Sequence, residues 1–152
     1  MQFVVLPTGV GKSFIGCALA QAAIRRGHTA LYLRTPRLLT DLALSRGDGR
    51  YVRRLAYLAK IGVLVLDDFL LTSPSVIEAK DLLEVIDDRS QVRSTLVISQ
   101  LPVEAWHPAL TAGDPTLADA ILDRLVHDAH RLALKGSSMR RRQPPPEETP
   151  VA

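Results

Sequence analysis

Apolar residues in this chain alternate between short unbroken runs and longer stretches in which they recur three and four positions apart. The runs at 3–6, 30–33, 63–66 and 95–98, with a weaker one at 131–134, read as buried strands. Helical spacing covers 13–26, 36–44, 51–60, 76–89 and 116–129. Gly27 is placed to cap the end of the first helix, and Ser73 or Ser75 the start of the fourth. Gly47-Asp48-Gly49 separates the second helix from the third. Strand–helix alternation of this kind predicts a mostly parallel sheet, here five-stranded, with crossover helices on its faces.

The pattern stops near Gly136. Arg140-Arg141-Arg142, Pro144-Pro145-Pro146 and Glu147-Glu148 follow, a polar and proline-rich composition without the apolar content to fold. The expected organisation is one α/β domain over residues 1–136 and a basic, proline-rich, disordered tail over 137–152.

Composition narrows the class only slightly. At 152 residues and 47% hydrophobic, the chain fits one globular domain. Net charge is +3, too small to establish nucleic-acid binding unless the charges cluster. Cys17 is the single cysteine, so no internal disulfide forms and a reducing compartment suits the chain. Its place in a helical apolar pattern makes it a small core residue. No apolar stretch approaches the ~20 residues of a membrane span, and the start lacks the features of a signal peptide. A cytoplasmic protein with no membrane partner is expected.

Candidate chemistry begins at Pro7-Thr8-Gly9-Val10-Gly11-Lys12-Ser13-Phe14, between the first strand and the first helix. Glycines let the chain turn tightly enough for backbone N–H groups to converge on a phosphate, and the helix start adds its positive dipole end. Lys12 would reach the outer phosphates of ATP and Ser13 would ligate Mg²⁺. The plain alternative is a glycine turn that merely joins strand to helix. Leu6 stands where the consensus has its first glycine.

Val63-Leu64-Val65-Leu66-Asp67-Asp68 is a buried strand that delivers two acids to its C-terminal edge, where open α/β sheets bind ligands. Asp67 would hold Mg²⁺ through water, and Asp68 would orient or activate the attacking water. The strand ending at Ser99-Gln100 should lie beside it, so that either residue could sense a terminal phosphate. Arg124 lies on an amphipathic helix and either neutralises a transferring phosphoryl group or pairs with Asp123 or Asp128. His127 and His130 have helical ligand spacing but no third ligand, so no structural zinc is expected. Trp106 and His107 read as packing residues. Arg50, Arg53 and Arg54 share a helical face, suited either to DNA phosphates or to plain solvation.

Thr8 to Ser13, Leu66-Asp67-Asp68-Phe69, Ser94 to Trp106, Asp114 to His127 and Leu134 to Arg140 together resemble IstB-like ATP-binding proteins. The resemblance runs from about residue 3 to 140. It implies a P-loop NTPase of the AAA+ (ASCE) type, a three-layer sandwich related to DnaC-type helicase loaders. It implies ATP and Mg²⁺ as cofactors, and homo-oligomers that assemble on double-stranded DNA and stimulate a cognate transposase. Lys12 and Ser13 fall at nucleotide ligands, Asp67 and Asp68 at the metal and water site, Ser99 and Gln100 at the sensor position and Arg124 at the finger position. Basic residues of the segment before the third strand, Arg50, Arg53 and Arg54 among them, would face DNA. Leu70 stands where the family usually has glycine, and the helical region usually ahead of the first strand is absent, so a truncated copy is expected. Two alternatives stay open: a helicase-loader-like replication ATPase, and a degenerate nucleotide-binding module without ATPase activity. A small P-loop kinase is disfavoured by the paired acids and the lack of an arginine-rich lid.

Overall fold

The computed structural model describes residues 12–111, 114–126 and 129, with Lys12 and Ser13 described as backbone only. The elements run α1 (Lys12–Arg25), β1 (Ala30–Arg34), α2 (Thr35–Gly47), α3 (Tyr51–Lys60), β2 (Val63–Phe69), α4 (Val76–Arg89), β3 (Ser94–Ser99), a 3₁₀ turn (Val103–Ala105), α5 (Trp106–Thr111) and α6 (Pro115–Val126). The expected strands at 3–6 and 131–134, residues 7–11, His127, His130 and the tail lie outside the described residues.

The three strands are parallel in the order β1-β2-β3. Alternation along each strand sends side chains to two different cores. Ala30, Tyr32, Val63, Val65, Leu96 and Ile98 pack with Ile15 and Ala20 of α1. Leu31, Leu33, Leu64 and Leu66 meet Leu38, Leu42, Leu58 and Val85 of α2, α3 and α4 on the other face. That second layer continues through Phe69, Val97, Trp106, Leu110, Ile121 and Leu125 into α5 and α6. The result is a three-layer α/β arrangement, as the strand–helix alternation predicts.

Helix ends follow local chemistry. Ser75 accepts from the backbone N–H of Glu78 while the Glu78 carboxylate accepts from that of Ser75, a complete capping box at the start of α4. Gly27 has φ 84°, and the N–H groups of Gly27 and His28 donate to the carbonyls of Ile24 and Ala23. That is a Schellman end, which requires a left-handed residue and hence favours glycine. Cys17 corrects an expectation: it is exposed. The side of α1 that meets the sheet runs through Gly16 and Ala20, and Cys17 lies ~100° around the helix from Gly16.

Candidate functional site

The site is set by where α1 meets the sheet. Gly16 lies so close that a Cβ there would stand 2.6 Å from Ile98 Cδ1 and 3.3 Å from Val65 Cγ1. At the other end of α1, Arg26 shares a groove with Gly62, Val63 and Ser94, at the start of β2 and β3. The helix therefore runs antiparallel to the strands and opens at their C-terminal edge. Lys12 begins α1 four residues before Gly16, ~6 Å nearer the edge where β2 ends in the acid pair. The first turn of α1 carries no acidic residue, so nothing there repels an anion from the positive helix end.

Asp67 is 4% exposed and continues the alternation that puts Val63 and Val65 on the α1 face. Its neighbours hold it. Its Oδ1 accepts from the Asp68 backbone N–H at 2.7 Å, and its Oδ2 accepts from the Tyr32 hydroxyl. Its carbonyl accepts from Thr35 Oγ1 at 2.9 Å, tying the strand end to the start of α2. A buried carboxylate on the α1 side, beside a helix start that favours anions, fits a magnesium–phosphate group.

Asp68 departs from the pleat. Leu66 pairs with Val97 and Phe69 with Ser99, so Asp67 and Asp68 together oppose the single residue Ile98. This bulge lets Phe69 join the core opposite α1, where strict alternation from Leu66 would have turned it toward α1. Asp68 takes φ 52° at the bulge, a left-handed conformation that aspartate tolerates better than most residues. Its Oδ2 accepts from Arg34 Nε at 2.8 Å, and that hydrogen bond, then the opposite charge, raises the Arg34 pKa. Beside Asp68 a cavity of about 150 Å³ is lined in part by Thr35, Thr40, Leu70, Thr72 and Glu78, polar enough and roomy enough for water.

Leu70 also has a left-handed φ, 58°, and is buried. This gives the physical reason why glycine suits that position, the one noted above as a departure from the family.

Ser99 ends β3 fully buried. Its hydroxyl donates to the Phe69 carbonyl at 2.7 Å and accepts from the Leu101 N–H at 3.1 Å, clamping the two strand ends together. Gln100, next to it, is exposed. Phe14 is 78% exposed on the first turn of α1. Trp106 is buried edge-on to Phe69, with centroids 5.1 Å apart, and His107 contacts Asp119 at the surface.

Arg124 lies elsewhere. Its Nε donates to Asp87 Oδ1 at 2.5 Å and its Nη1 to the Ala120 carbonyl at 3.1 Å, so its ion pair joins α6 to α4. Asp87 is near the C-terminal end of α4. Two residues on, the fully buried Arg89 donates to the carbonyls of Leu58, Ile61 and Ser94 and to Thr95 Oγ1, all at the edge of the sheet where β2 and β3 begin, opposite the edge that carries Asp67. Arg124 is therefore remote from Asp67 of its own chain.

The arginines between β1 and β2 are partly engaged. Arg50 pairs with Asp48 at 2.6 Å and Arg54 with Asp41 at 2.6 Å, while Arg53 is exposed and makes no ion pair among the described residues. Arg46 and the Tyr51 hydroxyl both bond the buried Asp81 of α4.

Sequence reasoning reached the acid pair and missed the two β1 side chains that hold it. Tyr32 and Arg34 are two apart, so they emerge on one side of a strand whose end was already expected to flank the acids. That alternation was the available signal.

The family model described as IstB-like ATP binding protein matches residues 2–145. A Sinorhizobium fredii protein named as an insertion sequence ATP-binding protein is 53% identical over 90% of this chain and 55% of its own length. A second protein so named from that organism is 49% identical over 95% of this chain and 57% of its own. The chain thus spans about half the length of these curated relatives. The crystal structure of DnaI superposes with a TM-score of 0.77 at 23% identity, covering 89% of this chain and 74% of that one, which shows the shared fold. Among the described residues, no helix is long and apolar enough to cross a membrane.

Proposed function

Because the chain belongs to the family of IstB-like ATP-binding proteins, we propose that it binds and hydrolyses ATP as an accessory to DNA transposition, working in the cytoplasm. Assembly into oligomers on double-stranded DNA and stimulation of a cognate transposase complete the reading. The observation that carries it is Asp67, a buried carboxylate at the C-terminal edge of the sheet, on the face where α1 opens.

Lys12 and Ser13 start α1 and would take the outer phosphates and Mg²⁺, with Pro7 to Gly11 wrapping the phosphate chain. Bound Mg²⁺ would neutralise charge developing on the phosphoryl oxygens. Asp67 would hold it through water. Asp68, lifted off the sheet by the bulge and beside a small polar cavity, orients the attacking water. Ser99 holds the two strand ends in register, which leaves the exposed Gln100 to meet the terminal phosphate. Arg124 is too far from its own Asp67 and would act on the nucleotide of a neighbouring subunit. Arg53 leads the DNA contacts, with Arg54 of the same helix and Arg50 just ahead of it adding phosphate contacts.

The test is ATP turnover with and without double-stranded DNA, in the unmodified chain and in Lys12→Ala, alongside a nucleotide-binding titration. DNA-stimulated turnover that disappears in Lys12→Ala is expected. A folded chain that binds no ATP would refute the proposal.

A further inference from the structure

β1 supplies a hydroxyl to the buried carboxylate at the head of the site. Tyr32 packs its ring in the α1-face core beside Val65, its register partner, and its hydroxyl reaches Oδ2 of Asp67 two pairs further along the sheet. The other oxygen, Oδ1, accepts from the Asp68 N–H. The terminal torsion of an aspartate is soft, so one donor leaves the carboxylate plane free to turn. Two donors, one on each oxygen, fix it.

We propose that Tyr32 is a positioning residue of the nucleotide site, its hydroxyl holding the Asp67 carboxylate in the orientation that receives Mg²⁺ through water. The inference rests on the nucleotide-site reading above. Its consequence is that Tyr32 sets how strongly Mg²⁺ enhances nucleotide binding while contributing little to binding of the nucleotide alone. Partners that orient a metal-bound group change metal affinity by about 10- to 100-fold when removed. A packing residue that merely satisfied a buried acid would leave the magnesium response unmoved.

The experiment titrates a fluorescent ATP analogue into the chain in EDTA and then at rising Mg²⁺, for the unmodified protein, Tyr32→Phe, Tyr32→Leu and Lys12→Ala. Thermal unfolding in EDTA establishes that each variant is folded at the assay temperature. Tyr32→Phe is expected to keep its affinity in EDTA within about twofold and to need about tenfold more Mg²⁺ for half-maximal enhancement. Tyr32→Leu, which fills apolar space without a polar tip, must show the same shift and keeps the test open if Tyr32→Phe folds poorly. Asp67→Asn and the double variant complete the cycle: without the carboxylate, removing the hydroxyl should shift nothing further. An unchanged magnesium response in Tyr32→Phe, with nucleotide binding present and lost in Lys12→Ala, overturns the role of Tyr32 alone. An unmodified chain that binds no nucleotide overturns the site reading and this inference together.

Discussion

Replacing Leu70 tests whether the turn after the acid pair is held against its own backbone preference. Leu70 is 5% exposed and belongs to the core formed with Phe69, Leu82 and Trp106, yet its φ is 58°. Truncating a buried leucine to alanine costs about 2–5 kcal/mol. Alanine at a left-handed position also keeps a strain of roughly 1–2 kcal/mol, because its Cβ crowds the following carbonyl. Glycine removes that strain but gives up about 0.5–1 kcal/mol in backbone entropy. The balance puts Leu70→Gly ahead of Leu70→Ala by up to about 1.5 kcal/mol, although both lie below the parent. Leu82, 1% exposed within α4, is the control. There the order reverses, because glycine inside a helix is about 1 kcal/mol worse than alanine. Urea unfolding of the four variants, read by fluorescence of Trp106, gives both differences directly. An alanine at position 70 more stable than glycine, the order expected at Leu82, would refute the strain argument.

Other consequences follow from particular contacts. Arg89 is buried, and desolvation pulls its pKa down to about 10, so it stays charged at neutral pH while satisfying three carbonyls and Thr95. Arg89→Met should therefore cost at least about 3 kcal/mol in urea unfolding, since several buried acceptors lose their donor; a loss below about 1 kcal/mol would contradict this. Burial, and then the hydrogen bond to Asp81, raises the Tyr51 pKa above its ordinary 10.0. The folded chain keeps that proton to higher pH than the unfolded one, so this stabilisation is complete below about pH 10 and is lost as pH rises through the folded value. Tyr51→Phe should flatten the fall of stability above about pH 10, and an equal slope in both proteins would count against it. Arg53→Ala should weaken binding to all duplex sequences alike and reduce the salt slope by about 1, whereas sequence-dependent loss would argue against a phosphate contact.

What was legible in the sequence is what repeats. The unbroken run Val63–Leu66 could only be a strand buried on both faces, so its end had to carry Asp67 and Asp68 to the sheet edge. The spacing of α3 and α4 gave both helices with the observed bounds, and of the two candidate caps for α4, Ser73 and Ser75, the structure uses Ser75. The short α5, Trp106–Thr111, was missed because six residues make under two turns, too few for a periodicity to emerge. The bulge was missed for a different reason. An extra residue in a strand leaves no trace in hydrophobic pattern when the residues concerned are both acids, since alternation is read from apolar positions. Phe69 held the only clue, an apolar residue that strict alternation from Leu66 would have turned toward α1. Arg124 and Arg89 mark the same boundary. Each was visible as a basic residue on an amphipathic helix, but partner choice depends on how α4 lies against α6 and against the strand starts. Periodicity specifies which face of a helix is buried, and the depth at which a long side chain crosses from that face to its partner is settled only by packing. The chemistry of the site follows the same division. The acids were placed by their own strand, while the hydroxyl and guanidinium that orient them come from β1, brought alongside by a register that no single segment encodes.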